Sequence, residues 1–209
     1  MAYQKTIIRR DPWQVEPFLK QMNMTVPGLC RVRDVALTER ANATDFHPVN
    51  APGTFAYHHG VWALRNEFVG KYWKLECPGG VEAIISSDLT IRVAYANVDL
   101  CCDEAHHPLP CSGKGAGVER LCQGNLFGDA LPTYTRQHAA DGIPLYYVMV
   151  DPDGRIELSR PTIEGKSFGP CVERNFISYG HDDDGGKRII HPVTDSPVDL
   201  TPTITRKTA

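Results

Sequence analysis

The run Cys101-Cys102-Asp103-Glu104-Ala105-His106-His107-Pro108-Leu109-Pro110-Cys111 gathers thiols, imidazoles and carboxylates into one short stretch. Thiolates and imidazoles suit zinc, which takes four tetrahedral ligands. Cys102, His106 and Cys111 are the candidate ligands within the run, and Cys122 is the residue that would close the site. The spacing matches no C-x-x-C pair, and the prolines restrict how the loop folds back, so the expectation is a polar loop with no cofactor. His58-His59 is a second candidate. Neighbours on a helix point about 100° apart, so the two rings do not share a ligand; His58 with Glu67 or Glu76 is the acid–base alternative to a structural histidine. Ser112-Gly113-Lys114-Gly115-Ala116-Gly117 lacks the Ser/Thr that follows lysine in a phosphate-binding loop. Asp182-Asp183-Asp184 lacks the alternating spacing of a calcium loop and reads as a solvated turn. Glu76, Glu82, Asp88 and Asp99 offer carboxylates for a nuclease, without the lysine that chemistry needs. The residues therefore lean away from an enzyme. A metal-dependent hydrolase or nuclease built on the His/Cys/Asp residues of 101–111 or 181–184 is the alternative.

The elements that must position these groups follow from periodicity. A short strand is expected around Thr6–Ile8. Asp11-Pro12 opens a helix through Trp13, Val15, Phe18, Leu19 and Met22, ending near Asn23. Val26-Pro27-Gly28 interrupts, and Leu29, Val32 and Ala36 mark a second helix to about Arg40, with Arg31 and Arg33 in solvent. Thr54 caps a third, in which Tyr57, Val61, Leu64 and Phe68 form one face and Phe55, Trp62 and Val69 widen it. Strands are expected at Tyr72–Cys77, Val81–Ser86 and Leu89–Val98, then at Leu145–Val150, Arg155–Arg160 and Cys171–Ser178, with Asp151-Pro152-Asp153-Gly154 as a tight turn. The fold class is α+β: N-terminal helices packed on a mainly antiparallel sheet of about six strands, with a long irregular excursion in the middle. Residues 1–178 form the single domain, 99–144 its excursion, and 179–209 an extended or disordered tail.

Composition narrows the function classes. At 42% hydrophobic and 22% charged, with a net charge of -3, the chain is a globular protein and no bulk polycation. No stretch approaches the ~20 apolar residues of a membrane span, so no membrane partner is expected. The opening MAYQKTIIRRDPW has no apolar signal-peptide core, and seven cysteines are an odd number; together they point to a reduced cytoplasm. Cys30, Cys77 and Cys171 are expected to be small buried hydrophobes. Arg9, Arg10, Arg31 and Arg33 are the residues available for DNA contact, if they share a face.

Within the excursion, Gln123-Gly124-Asn125-Leu126-Phe127 resembles the QxxLF peptide by which bacterial replication and repair proteins bind the DNA polymerase sliding clamp. The resemblance implies that Gln123 hydrogen-bonds at the pocket edge while Leu126 and Phe127 fill an apolar pocket. Gly124 departs from the commoner form, which has leucine after the glutamine. The bland reading is that Leu126 and Phe127 anchor the loop onto the chain's own sheet.

A broader likeness covers about Asn50 to Ser178. Ala51–His58, Lys114-Gly115 ahead of Gln123–Phe127, and the hairpin YYVMVDPDGRIELS closing with VERNFIS resemble uncharacterised proteins of phages and integrative elements. That likeness implies a mobile-element setting and supplies no activity. The expectation is an accessory protein of a mobile element that binds the host clamp and modulates DNA replication or repair. Its oligomeric state is open.

Overall fold

A short polar residue followed within two positions by proline opens each of three helices. Asp11-Pro12 begins α1 (Pro12–Gln21), Thr25-Val26-Pro27 begins α2 (Val26–Ala41), and Asn50-Ala51-Pro52 begins α3 (Ala51–Phe68). Proline has no N–H to leave unbonded in a first turn, and its φ is already helical. Thr25 adds a side-chain cap, its hydroxyl accepting from Gly28 N at 3.1 Å. The Val26-Pro27-Gly28 break expected from sequence is therefore the first turn of α2.

The computed structural model describes residues 6–88, 90–113, 142–164 and 166–180. Its strands are β1 (Ile7–Arg9), β2 (Trp73–Glu76), β3 (Ala83–Ser86), β4 (Arg92–Asn97), β5 (Leu145–Val150), β6 (Ile156–Glu164) and β7 (Ser167–Ser178). They form one seven-stranded sheet in the order β1-β7-β6-β5-β4-β3-β2. The α+β class is as expected, with one strand more. Short turns make β2–β3, β3–β4, β5–β6 and β6–β7 antiparallel. The two pairings whose partners are far apart in sequence, β4–β5 and β1–β7, are parallel. β6 and β7 slip register at Pro161, where the ring removes a ladder donor.

Period-two alternation sends Val93, Tyr95, Val148, Val150, Ile156 and Leu158 to one face, against Leu19, Leu29, Val32 and Leu64 of the helices. This is the larger core. The helix stripe is narrower than periodicity implies: Trp62 and Tyr57 are exposed, and α3 buries Ala56, Gly60, Val61, Ala63 and Leu64. Gly60 sets how close α3 comes, since a Cβ there would lie 2.3 Å from Tyr95 Cζ. Arg33, expected in solvent, is 2% exposed. Its guanidinium bonds Ser178 Oγ at 3.0 Å and Asp34 at 2.9 Å, tying α2 to the end of β7. Cys77, expected in the core, is exposed; Cys30 and Cys171 are buried.

The opposite face buries Ala83, Ala94, Ala96, Tyr147 and Met149. Phe168, on the outer part of the β6–β7 hairpin, packs its ring 4.9 Å from that of Tyr147, so the hairpin folds over this face. Residues 98–113 cover the rest. They leave β4, return so that Val98 pairs with Pro110 and Cys111 N bonds Asn97 O at 3.0 Å, and reach Lys166 at Gly113. The described part of the expected excursion is thus a strap laid on the sheet.

Candidate functional site

A set of buried ionisable groups lies beneath that strap. Glu157 on β6 and Arg174 on β7 are both 0% exposed. They are neighbours across an antiparallel pair on the face away from the helices, which puts opposite charges side by side. Every bonding position of the carboxylate is used. Glu157 accepts from Arg174 Nε at 3.1 Å and Nη2 at 2.7 Å, from Cys102 N at 2.8 Å and from Ser159 Oγ at 2.8 Å. Arg174 Nη1 donates to the carbonyls of Asp103 at 2.6 Å and His106 at 2.8 Å. Its guanidinium also lies 4.8 Å from the centre of the Phe176 ring. Burial works against the Arg174 charge, and the hydrogen bonds and charge of Glu157 more than restore it, leaving its pKa raised.

Asp151 fixes the start of the strap. Its carboxylate accepts from Cys101 N at 3.0 Å, Asp153 N at 2.9 Å and Arg155 N at 3.0 Å, so one side chain closes the expected Asp151–Gly154 turn and holds the strap as well. Cys102 sits at φ 58, a left-handed conformation uncommon outside glycine. That bend aims its N–H at Glu157 and brings Sγ to Ile156 O at 3.4 Å.

This arrangement holds a loop and is poorly set up for proton or nucleophile chemistry. Burial, and after it the charge of Glu157, push the Cys101 and Cys102 thiols well above their ordinary range. Burial and Glu157 likewise push Cys171 up to about 12. Such thiols stay protonated at neutral pH and are weak nucleophiles. His107 accepts from Cys171 N at 3.5 Å, and burial, then the Arg174 charge, lower its pKa.

Of the four zinc candidates, the three described ones are not brought together. Cys102 Sγ faces carbonyl oxygens, His106 Nε2 bonds Asp99 at 3.0 Å, Cys111 is exposed, and Cys122 lies outside the described residues. Among the described residues no three His, Cys, Asp or Glu side chains form a metal-holding group. Asp182–Asp184 and the Lys114 loop also lie outside them.

The arginines suggested for DNA are spread over separate ion pairs. Arg9 bonds Glu173 at 3.1 Å and lies over the Phe18 ring; Arg10 pairs with Glu104, Arg31 with Glu67, and Arg33 is buried. A phosphate would have to displace a carboxylate at Arg9, Arg10 and Arg31. A cavity of about 160 Å³ opens between the end of α1 and strands β2–β4, lined by Met22, Asn23, Tyr72, Trp73, Asp88 and Ile91 among others. Hydroxyls of Ser86 and Thr90 hold the Asp88 carboxyl below its usual pKa.

Sequence reasoning missed the Glu157–Arg174 clamp. The available signal was a charged residue on each strand of the closing hairpin, in IELS and VERNF, which reads equally well as a solvated cross-strand pair until a covering layer is known. Gln123, Leu126 and Phe127 lie outside the described residues. No described helix is long and apolar enough to cross a membrane. Comparison with protein-family models, with curated proteins and with solved structures finds no significant match in any of the three.

Proposed function

We propose that this chain is a non-enzymatic docking protein, of the kind carried by mobile elements, that engages the bacterial sliding clamp through Gln123, Leu126 and Phe127. The observation that supports this reading is a surplus of chain. β4 and β5 are parallel neighbours in register from Arg92↔Leu145 to Asn97↔Val150, so their connection must travel one strand length. A six-residue strand spans roughly 17–20 Å, which about six extended residues bridge. Gly113 has already left the Asn97 end and reached Lys166, yet residues 114–141 follow before the chain re-enters the sheet. Closure of the sheet does not need that length. Phe168, Tyr147 and Met149 supply large apolar side chains on the face beside the strap. Two adjacent apolar residues in surplus connection suit a partner's pocket, with the affinity reduced by the cost of ordering the peptide.

Calorimetric titration of purified bacterial clamp with this protein and with a Leu126→Ala/Phe127→Ala variant is the test. Saturable binding, lost in a variant whose melting temperature is unchanged, is expected. Absence of binding by the wild type would overturn the proposal, as would loss of stability in the variant, which would place both side chains in the protein's own core.

A further inference from the structure

Among the described residues no strand pairs with the outer edge of β2, and its sequence favours one way of closing it. β2 ends the sheet, bonded to β3 on one side. On the other side the Val69–Gly70 turn approaches, with Gly70 N donating to Trp73 O at 2.9 Å, and at the strand's end Arg65 Nη2 donates to Glu76 O at 3.3 Å. Ser87 N donates to Tyr72 O at 2.8 Å, and the register continues through Lys74↔Ile85 and Glu76↔Ala83. Alternation then turns the backbone groups of Lys74 and Glu76 toward β3 and those of Leu75 outward. The edge has neither proline nor bulge, and it exposes apolar surface: Leu75 is 62% exposed and Tyr72 47%.

We propose that two copies of this chain join edge to edge through β2, antiparallel and two-fold symmetric about Leu75. The charges select that register. Centring the pair on Lys74 would oppose Lys74 to Lys74 of the other copy, and would need Trp73 O, which Gly70 already occupies. A centre on Glu76 would oppose two glutamates. Only the centre on Leu75 sets Lys74 across from Glu76 of the second copy, twice, where unlike charges attract. It also lets the outward N–H and C=O of each Leu75 bond those of its mate and brings two exposed leucines together. Glu76 is held in place for this by Arg92, which grips it at 2.6 and 2.9 Å. The contact is isologous, so it closes at two copies, and its short edge makes the dimer reversible and concentration-dependent.

Sedimentation of the full chain over a concentration series tests the proposal, together with Lys74→Glu and Leu75→Pro. The wild type should pass from monomer to dimer. Lys74→Glu sets like charges opposite each other on both sides of the axis and should raise the dissociation constant roughly tenfold or more. Leu75→Pro removes an outward N–H that β3 does not use and should leave a folded monomer by circular dichroism. Should that proline unfold the protein, the exposed Lys74→Glu variant still decides. A wild type that stays monomeric, or a dimer indifferent to Lys74→Glu, overturns the proposal.

Discussion

The two faces of the sheet are held by different physics. Toward the helices, large apolar side chains from β4, β5 and β6 meet α1, α2 and α3, and each contact is one of many. On the other face the strap is fixed by a few bonds that converge on Glu157, Arg174 and Asp151. A packed apolar face tolerates the loss of one group in proportion to its volume, whereas a saturated buried ion pair fails when either partner is removed. Buried charge here is a fastening.

The largest effect should come from splitting the pair. Arg174→Met leaves Glu157 buried and charged and strands two carbonyls, and should lower the unfolding free energy by about 3–5 kcal/mol in urea titrations. Replacing both residues, as Glu157→Leu/Arg174→Met, should recover only part of that loss, because Cys102 N and the carbonyls of Asp103 and His106 remain without their partners. Full recovery would show that the strap does not need the clamp. On the helix face, Gly60→Ala pushes a methyl into the Tyr95 ring. It should cost about 1–3 kcal/mol by overpacking, read as a lower melting temperature. If the cost matched that of Arg174→Met, the contrast between the faces would fail.

The smallest effect is a pH dependence. Burial and the Arg174 charge hold the pKa of His107 below its ordinary value. The folded state therefore favours the neutral ring more than the unfolded chain does. Its contribution to stability is complete above about pH 6.5, the unfolded value, and is lost as pH falls toward the lower folded value. His107→Asn, which retains an acceptor for Cys171 N, should flatten the decline in melting temperature between neutral and mildly acidic pH. An unchanged slope would remove His107 from the account.

Local pattern carried the helices and the short-turn strands, because amphipathic spacing and the Asp151–Gly154 turn are properties of contiguous residues. Ile91, Val93 and Tyr95 read as one face and Ala94 and Ala96 as the other, and the sheet divides Val93 and Tyr95 from Ala94 and Ala96 accordingly. What escaped depends on distant partners. The short strand expected around Thr6–Ile8 is β1, but its place beside β7, parallel and more than 160 residues away, was not readable locally; Thr6 Oγ1 donates to Cys171 O at 2.7 Å. The burial of Arg33 follows from Ser178 lying beside α2, and the exposure of Trp62 and Cys77 from where α3 and β2 meet solvent. The spacing of the His/Cys run carries no information about Glu157 and Arg174, which bind its backbone at Cys102, Asp103 and His106.

Under the proposed function, the sheet closes without residues 114–141 and partner binding resides there. Replacing them with a Gly/Ser linker of about eight residues, long enough to span one strand, tests both halves in one protein. A melting temperature within a few degrees of the wild type and no calorimetric signal with the sliding clamp are expected. An unfolded linker variant, or one that still binds the clamp, would contradict the proposed function.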